Sequence, residues 1–308
     1  PPVGLVLGAG FEGAPGLVEH LDTHYRVLGC SADTIRQAKD PMALAALLGE
    51  RGIACPETRL DPPADVAGWL SKRIGGTGGT HITAARPHGG RGRYFQRQGA
   101  GSPISALGIL GATDCAFAFS RQWTAPAGPR PYRFGGATGS LELDPDLEAR
   151  MIEIGLEISR ALSLVGLVSL DFLVTPDAAP VLLEINPRPG ATLDVFDDAA
   201  GTLFKAHVAA ALGTGPLDAY FAAWAPPVAR AVAYLYADRG DLDIPPIRWP
   251  EWVSDRPARG RSIARHQPIV TVTAEGDDTR QAEAMCRERL GTIERMLYED
   301  TTGKEPQS

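Results

Sequence analysis

The sequence predicts an α+β protein built from several subdomains, and three observations carry that reading. The chain has 308 residues, room for about two domains at roughly 150 residues each. It opens with one strand–helix–strand unit, continues through paired short strands, and closes with a β-rich stretch and a long helix. Hydrophobic residues make up 44% and charged residues 22%, the balance of a globular chain and not of a disordered one or a coiled coil. With 35 Gly and 26 Pro, many turns must be placed.

Val3, Leu5 and Val6 begin a strand over 3–7 that runs into Gly8-Ala9-Gly10-Phe11-Glu12-Gly13. A helical stretch over 15–21 and a second strand over 25–28 follow. The glycines satisfy G-x-G-x-x-G, whose backbone can approach a pyrophosphate at a helix N-terminus. Gly29-Cys30 stands where an acid should end the second strand, and the unit is short, so a tight strand-to-helix turn is the favoured reading. Over 41–52, Met42, Leu44, Ala45, Leu47 and Leu48 fall at helical spacing and Gly52 closes the helix. Asp61-Pro62-Pro63 marks a subdomain connection.

Strands are predicted over 68–74, 93–98 and 103–110, forming a small antiparallel sheet around 75–90. Met151, Ile154, Ile158, Ala161 and Leu162 predict a helix over 147–164 that packs on a sheet. Runs 167–174 and 181–185, separated by the turn 175–180, read as a hairpin. A helix over 203–212, strands over 229–236 and 269–273, and a helix over 279–297 before a polar, frayed end complete the chain. No internal repeat is visible in it.

The net charge of −7 and a pI near 5.4 argue against nucleic-acid and anionic-membrane partners, which draw on summed Lys and Arg charge. Small molecules are the expected partners. The most apolar run, 158–174, contains Ser159, Arg160, Ser163, Ser169 and Asp171 and does not read as a membrane span. No secretory leader is read at the start, and Cys30, Cys55, Cys115 and Cys286 lie far apart with no CxxC, so a cytoplasmic chain with reduced thiols is expected. Only four of the 30 basic residues are lysines, at 39, 72, 205 and 304. Each is therefore worth locating.

Two clusters carry chemistry. In the first, Lys72 leaves a strand into Gly75-Gly76-Thr77-Gly78-Gly79-Thr80-His81. An ammonium followed by small, backbone-rich residues can hold a polyphosphate, although the Walker A pattern is absent and a flexible hairpin tip is an equal reading of the loop alone. In the second, Asp171 lies in Ser169-Leu170-Asp171-Phe172 and is followed by Leu183-Glu184-Ile185-Asn186-Pro187-Arg188-Pro189-Gly190. Glu184 and Asn186 are two apart and share a strand face, and a hairpin brings Asp171 beside them. Three hard oxygen ligands suit Mg²⁺, which completes its shell with phosphates and water. Ordinary surface acids would not be embedded in Leu, Ile and Val runs.

With these motifs on the page, the chain resembles the ATP-grasp superfamily, of the carboxylate-amine ligase type and the biotin-carboxylase-like branch: strand lysine and Gly-rich loop, then D…E-x-N about a hundred residues on, flowing into Pro-Arg-Pro-Gly. Lys39-Asp40-Pro41 and Gly52-Ile53-Ala54-Cys55-Pro56 look like the approach common there. The resemblance implies a shortened N-terminal α/β (pre-ATP-grasp) domain over 1–60, a small lobe over 61–110, a large lobe with the metal site over 111–215, and a β-rich C-terminal segment with a terminal helix over 216–308. It implies that Lys72 contacts ATP phosphates and that Gly75, Gly76, Thr77, Gly78 and Gly79 cover them. His81, Gln96 and Gln98 join the nucleotide-binding set, although a loop histidine contacting backbone is an equal reading of His81. Asp171, Glu184 and Asn186 carry one or two Mg²⁺, and Arg188 touches the γ-phosphate or the acyl phosphate, acting with Lys72 in catalysis. One departure is Arg97, where many relatives place an acid, which puts the purine and ribose contacts in doubt.

The activity implied is ATP-dependent joining of an acid to an amine through an acyl phosphate, with a homodimer as a further expectation. A narrower resemblance is to ATP-grasp proteins of methanopterin- and methanofuran-linked one-carbon metabolism. The rival from another class is a non-catalytic nucleotide-binding regulatory or partner protein, supported by Arg97 and the short N-terminal part. A third reading is a carboxylase-like enzyme that takes bicarbonate as its acid. Of the remaining residues, Lys205 reads as solvated, the segment Arg133-Phe134-Gly135-Gly136 as a mobile substrate loop or a turn, and Trp224, Trp249 and Trp252 as packing for the tail. Asp194 and Asp197 read either as selectors of an amine or as capping or surface residues.

Overall fold

The computed structural model describes residues 3–224 and 226–299, so the polar end beyond 299 lies outside the described residues. Three short helices open the chain: α1 (Pro15–Asp22), α2 (Ala32–Lys39) and α3 (Pro41–Glu50). Proline occupies the first turn of α1 and α3; the Ser31 hydroxyl accepts from Thr34 N–H at the start of α2, and the Asp40 carboxylate accepts from Met42 and Ala43 N–H at the start of α3. The strands expected over 3–7 and 25–28 reduce to one parallel bridge, Leu5 to Val27. An isolated pair of short segments is only marginally stable as a ladder. Helix α2 is an addition to the sequence reading. Its caps and end charges, Ser31, Asp33, Arg36 and Lys39, are helix signals that its few apolar residues hide.

A four-stranded antiparallel sheet follows, of β1 (Thr58–Arg59), β2 (Trp69–Arg73), β3 (Thr83–Ala84) and β4 (Arg93–Arg97), in the order β1-β4-β2-β3. The expectation that 103–110 belongs to this small sheet is corrected. That segment is β5 (Ser102–Leu110), inside an eight-stranded antiparallel sheet, and its residues from Ile104 to Leu110 are all buried, which requires cover on both faces. β6 (Cys115–Thr124) and β7 (Phe134–Gly139) come next; the Gly-Gly-Ala-Thr-Gly body of β7 has little strand propensity, and tight packing decides it instead. A Cβ at Gly136 would stand 2.2 Å from the Trp123 ring. Residues 134–136 therefore begin a buried strand and form no mobile loop, and Arg133 beside them is buried.

Helix α4 (Pro145–Leu162) starts at the Asp144 cap and ends at Ser163 in the left-handed region. The expected hairpin is β8 (Gly166–Val174) and β9 (Pro180–Asn186). Beyond it lie α5 (Leu193–Phe196), α6 (Thr202–Leu212), α7 (Asp218–Ala223), β10 (Arg230–Tyr236), β11 (Leu242–Asp243), β12 (Val253–Ser254), β13 (Ser262–Ile263), β14 (Pro268–Glu275) and α8 (Thr279–Tyr298). The large sheet runs β12-β14-β10-β7-β6-β5-β8-β9.

Its apolar faces explain the layers. Ile104, Ala106, Val168, Leu170 and Phe172 pack against Met151 and Ile158 of α4. On the opposite face Leu107, Ile109 and Leu167 pack against Leu203, Ala206 and Ala209 of α6. At the far edge Ala231, Ala233, Val270 and Val272 take Ala282, Cys286 and Ile293 of α8. Alternation along β5 and β8 carries the α6 face from these leucines to Ser105, Ser169 and Asp171. The sheet thus turns from apolar to polar where α6 stops covering it. Among the described residues, no helix is long and apolar enough to cross a membrane.

Candidate functional site

Register places the candidate oxygen ligands. Asp171 pairs with Glu184, and Ser169 pairs with Asn186. The ladder shifts between Asp171 and Phe172, because Phe172 pairs with Leu182 and Leu183 is the extra residue. Leu182 and Ile185, three apart, both enter the core, which an unbroken strand would forbid. The bulge re-aims the strand so that Glu184 lies beside Asp171.

Around this trio the hydrogen bonds are specific. Gln122 Nε2 donates to Asp171 Oδ1 at 3.0 Å, and Asn186 Nδ2 donates to Asp171 Oδ2 at 2.9 Å. The Asn186 oxygen is thereby turned outward, where Lys39 Nζ donates to it at 2.8 Å and to Glu184 Oε1 at 2.6 Å. Burial raises the Asp171 carboxyl above its usual range, and the Glu184 charge adds to the rise. Burial also works to raise Glu184, but Lys39 and Lys72 outweigh it and hold that carboxyl below its usual range.

Lys72 sits on β2, only 5% exposed, with Nζ donating to Gln96 Oε1 of β4 at 2.6 Å. Burial lowers its pKa, opposed by Glu184 and Asp171. Lys72, Lys39, Asp171 and Glu184 thus share one electrostatic environment. Between the small sheet, α3 and β9 lies an open cleft lined by Lys39, Leu44, Leu48, Gly75, Gly76, His81, Tyr94, Gln96, Leu183 and Glu184 among others. Of the residues the sequence nominated, Gly75, Gly76, His81 and Gln96 stand on this lining with Glu184. Thr77, Gly78 and Gly79 turn away from it toward β7: Phe134 N–H donates to Gly78 O at 3.0 Å. Gly79 has φ +70, and a Cβ there would meet Tyr132 O at 1.9 Å, so this close approach requires glycine. Gln98 is exposed beyond β4 and is not on the lining.

His81 braces the loop. Its Nδ1 accepts from Arg73 N–H at 3.2 Å, and burial pushes its pKa down to about 4, with Lys72 and Arg73 adding to the fall against the pull of Glu184. It is neutral near pH 7, with Nε2 carrying the proton. Arg97 departs from the cleft: it lies 5.6 Å from the Trp69 ring and donates to Ala67 O. Asp197 accepts from Leu203 N–H at the start of α6, a capping contact, and Lys205 is exposed. Trp224 donates to Phe196 O, and Trp249 and Trp252 pack on the α8 core.

Sequence reasoning missed three members. Lys39 is delivered by the last turn of α2, Gln122 by β6, and Glu12 by the turn after residue 7, where it pairs with Arg188. The rarity of lysine was a signal for Lys39. Nothing local marks Gln122.

Mg²⁺ fits the trio. An ammonium already bridges Glu184 and Asn186 and acts as a stand-in cation, and the donors are hard oxygens. Among the described residues no three His, Cys, Asp or Glu side chains cluster at metal spacing; the set is two carboxylates and an amide.

Residues 38–192, half of the chain, match the ATP-grasp domain, and the chain belongs to that family, whose ligases use ATP with Mg²⁺. A segment of 52 residues is 44% identical to D-alanine–D-alanine ligase of Lactiplantibacillus plantarum, covering 17% of this chain and 14% of that relative. The chain therefore matches a small part of that enzyme's length. Among solved structures, the biotin carboxylase domain dimer of 2-oxoglutarate carboxylase from Hydrogenobacter thermophilus, in complex with MgADP and bicarbonate, superposes with a TM-score of 0.71 at 13% identity, over 92% of this chain and 73% of that one. An L-amino acid ligase from Bacillus licheniformis gives 0.70 at 12% identity, over 92% and 77%. These likenesses establish the ATP-grasp fold.

Proposed function

We propose that this chain is an ATP- and Mg²⁺-dependent ligase that joins a carboxylate to an amine through an acyl phosphate. The observation that carries the proposal is the buried Lys39 ammonium on the oxygens of Glu184 and Asn186, with Lys39 and Glu184 on the cleft lining and the buried Lys72 in the field of Glu184 and Asp171. Mg²⁺ would be held by Asp171, Glu184 and Asn186 and would supply positive charge to neutralise the phosphoryl group in transfer. Lys39 and Lys72 rest on internal oxygens, and arriving phosphates exchange for those partners. Neutral His81 fixes the loop beside them. Arg188 supplies charge where the γ-phosphate meets the substrate carboxylate, which attacks in line; an amine then displaces phosphate. Phosphoryl transfer asks for position and field, which these residues offer without a side-chain nucleophile.

The names of the two ligase relatives and the MgADP of the carboxylase domain support this reading. Arg97, the departure that favoured a non-catalytic protein, lies off the cleft lining. The narrower proposal, a role in biosynthesis of a one-carbon-carrier cofactor, rests on sequence resemblance alone. Cytoplasmic location, in keeping with four free cysteines, and a homodimer complete the proposal. The test is ADP release with Mg²⁺ and a panel of acid and amine pairs. Substrate-dependent ADP supports the ligase; tight MgATP binding with no ADP from any pair favours the regulatory reading.

A further inference from the structure

The G-x-G-x-x-G turn over 8–13 has no part in the proposal above, yet its acid faces the site. We infer that Glu12 is a positioning residue for Arg188, fixing the guanidinium across the joint between the N-terminal turn and the loop after β9. Glu12 Oε1 accepts from Arg188 Nε at 2.6 Å, and its other oxygen, Oε2, accepts from Gly10 N–H at 3.0 Å. The Glu12 side chain is 2% exposed and that of Arg188 13%. A carboxylate so enclosed is retained because both oxygens are paired, one with a full charge.

The geometry of the fork gives the pair its direction. With Nε held by Glu12, Nη1 donates to Pro189 O at 3.0 Å and Nη2 stands 3.5 Å from Asn186 Oδ1. The Nη end is therefore turned to the metal trio, with N–H groups to spare for a phosphate oxygen. A free arginine side chain would sample many rotamers before making that contact; Glu12 removes the search. The same turn touches the phosphate loop. A Cβ at Gly75 would lie 2.5 Å from Gly13 Cα and 2.9 Å from Glu12 O, so the Gly-rich loop rests on the backbone of the turn that holds Arg188. One short segment thus registers two pieces of the site that come from different sheets.

The inference rests on the reading of Arg188 as a γ-phosphate contact. That reading makes the ratio of MgADP to MgATP dissociation constants its measure, and a merely structural role for Glu12 would shift both constants together. Calorimetric titration of the full chain with each nucleotide gives the ratio for the parent, Glu12→Ala, Glu12→Gln, Arg188→Ala and the double variant. Glu12→Ala is expected to lower the preference for ATP about tenfold, as one charge-assisted contact is lost. Glu12→Gln, which keeps an acceptor for Nε and the shape of the site, falls between it and the parent. The double variant is expected to match Arg188→Ala, since both changes remove one interaction. A parental ratio in both Glu12 variants beside a lowered ratio in Arg188→Ala overturns the positioning role. A parental ratio in Arg188→Ala overturns the γ-phosphate assignment, and the inference with it. If Glu12→Ala does not fold, Glu12→Gln alone decides, on the same ratio.

Discussion

Lys39 and Arg133 are both buried cations held by acids far away in sequence, and they behave as opposites. Arg133 is 1% exposed and each of its three nitrogens is engaged: two bonds to Asp238 at 2.9 and 2.6 Å, one to Ala125 O, with a face-on contact 3.7 Å from the Tyr236 ring centroid. His266 Nδ1 shares Asp238 at 2.9 Å. Lys39 is nearly as buried, at 6%, but its point charge is divided between Glu184 and Asn186 on the wall of an open cleft. One knot is closed and ties residues 125–133 to the C-terminal strands. The other has oxygens that a second cation can share. Burial and pairing alone do not mark a site; partners that remain accessible to a ligand do.

The largest effect should fall on the open knot. Glu184→Gln keeps shape and removes one charge of the metal trio beside the lysines, and ADP formation should drop by about two to three orders of magnitude while the melting temperature changes little. Near-parental turnover would remove Glu184 from the site. Stability should show the reverse pattern. Arg133→Leu should lower unfolding free energy by about 2–3 kcal/mol in a denaturant titration, below the roughly 3–5 kcal/mol of a fully buried pair because Asp238 is 41% exposed. Lys39→Met should also weaken the ligand-free fold, but Mg²⁺ alone should then raise its melting temperature more than it raises the parent's. An equal response to Mg²⁺ in Lys39→Met and Arg133→Leu would erase the distinction.

Much of the open knot could be read from the sequence, because acids set in runs of Leu, Ile and Val are conspicuous and a hairpin has few ways to pair. Asp171, Glu184 and Asn186 were visible for that reason, and Lys72 because it leaves a strand into a Gly-rich loop. What stayed hidden depends on long-range packing. The extra residue Leu183 leaves no local sign, since a bulge is a property of two paired strands. Helix α2 was hidden because it buries few apolar side chains, and with it went the position of Lys39. Strand β7 consists largely of residues that avoid sheets, and only its neighbours explain it. Glu12 looked like turn material, and its partner lies 176 positions away.

Smaller effects come with pH. The Arg133 bonds hold the Asp238 carboxyl down to about 2, against an ordinary value of 3.8. Its folded value is lowered, so its contribution is complete above about 3.8 and is lost as pH falls toward 2. His207, buried, accepts from Leu167 N–H on Nδ1 and donates from Nε2 to Leu28 O, and burial lowers its pKa below 6.5. The neutral form is the one the fold holds, so the parent's melting temperature should decline as pH drops below about 6.5, and His207→Asn should flatten that slope. An unchanged slope would show that other groups govern the decline.

In the proposed ligase the Asp171, Glu184 and Asn186 oxygens bind Mg²⁺ together with the phosphates that Lys39 and Lys72 receive. Titrating ATP calorimetrically into the full chain, once with excess Mg²⁺ and once with a chelator, tests it directly. Because each ligand holds the other, ATP should bind at least about tenfold more tightly with Mg²⁺, and Glu184→Gln should abolish most of that gain. Equal ATP affinity with and without Mg²⁺ in the parent would contradict the account.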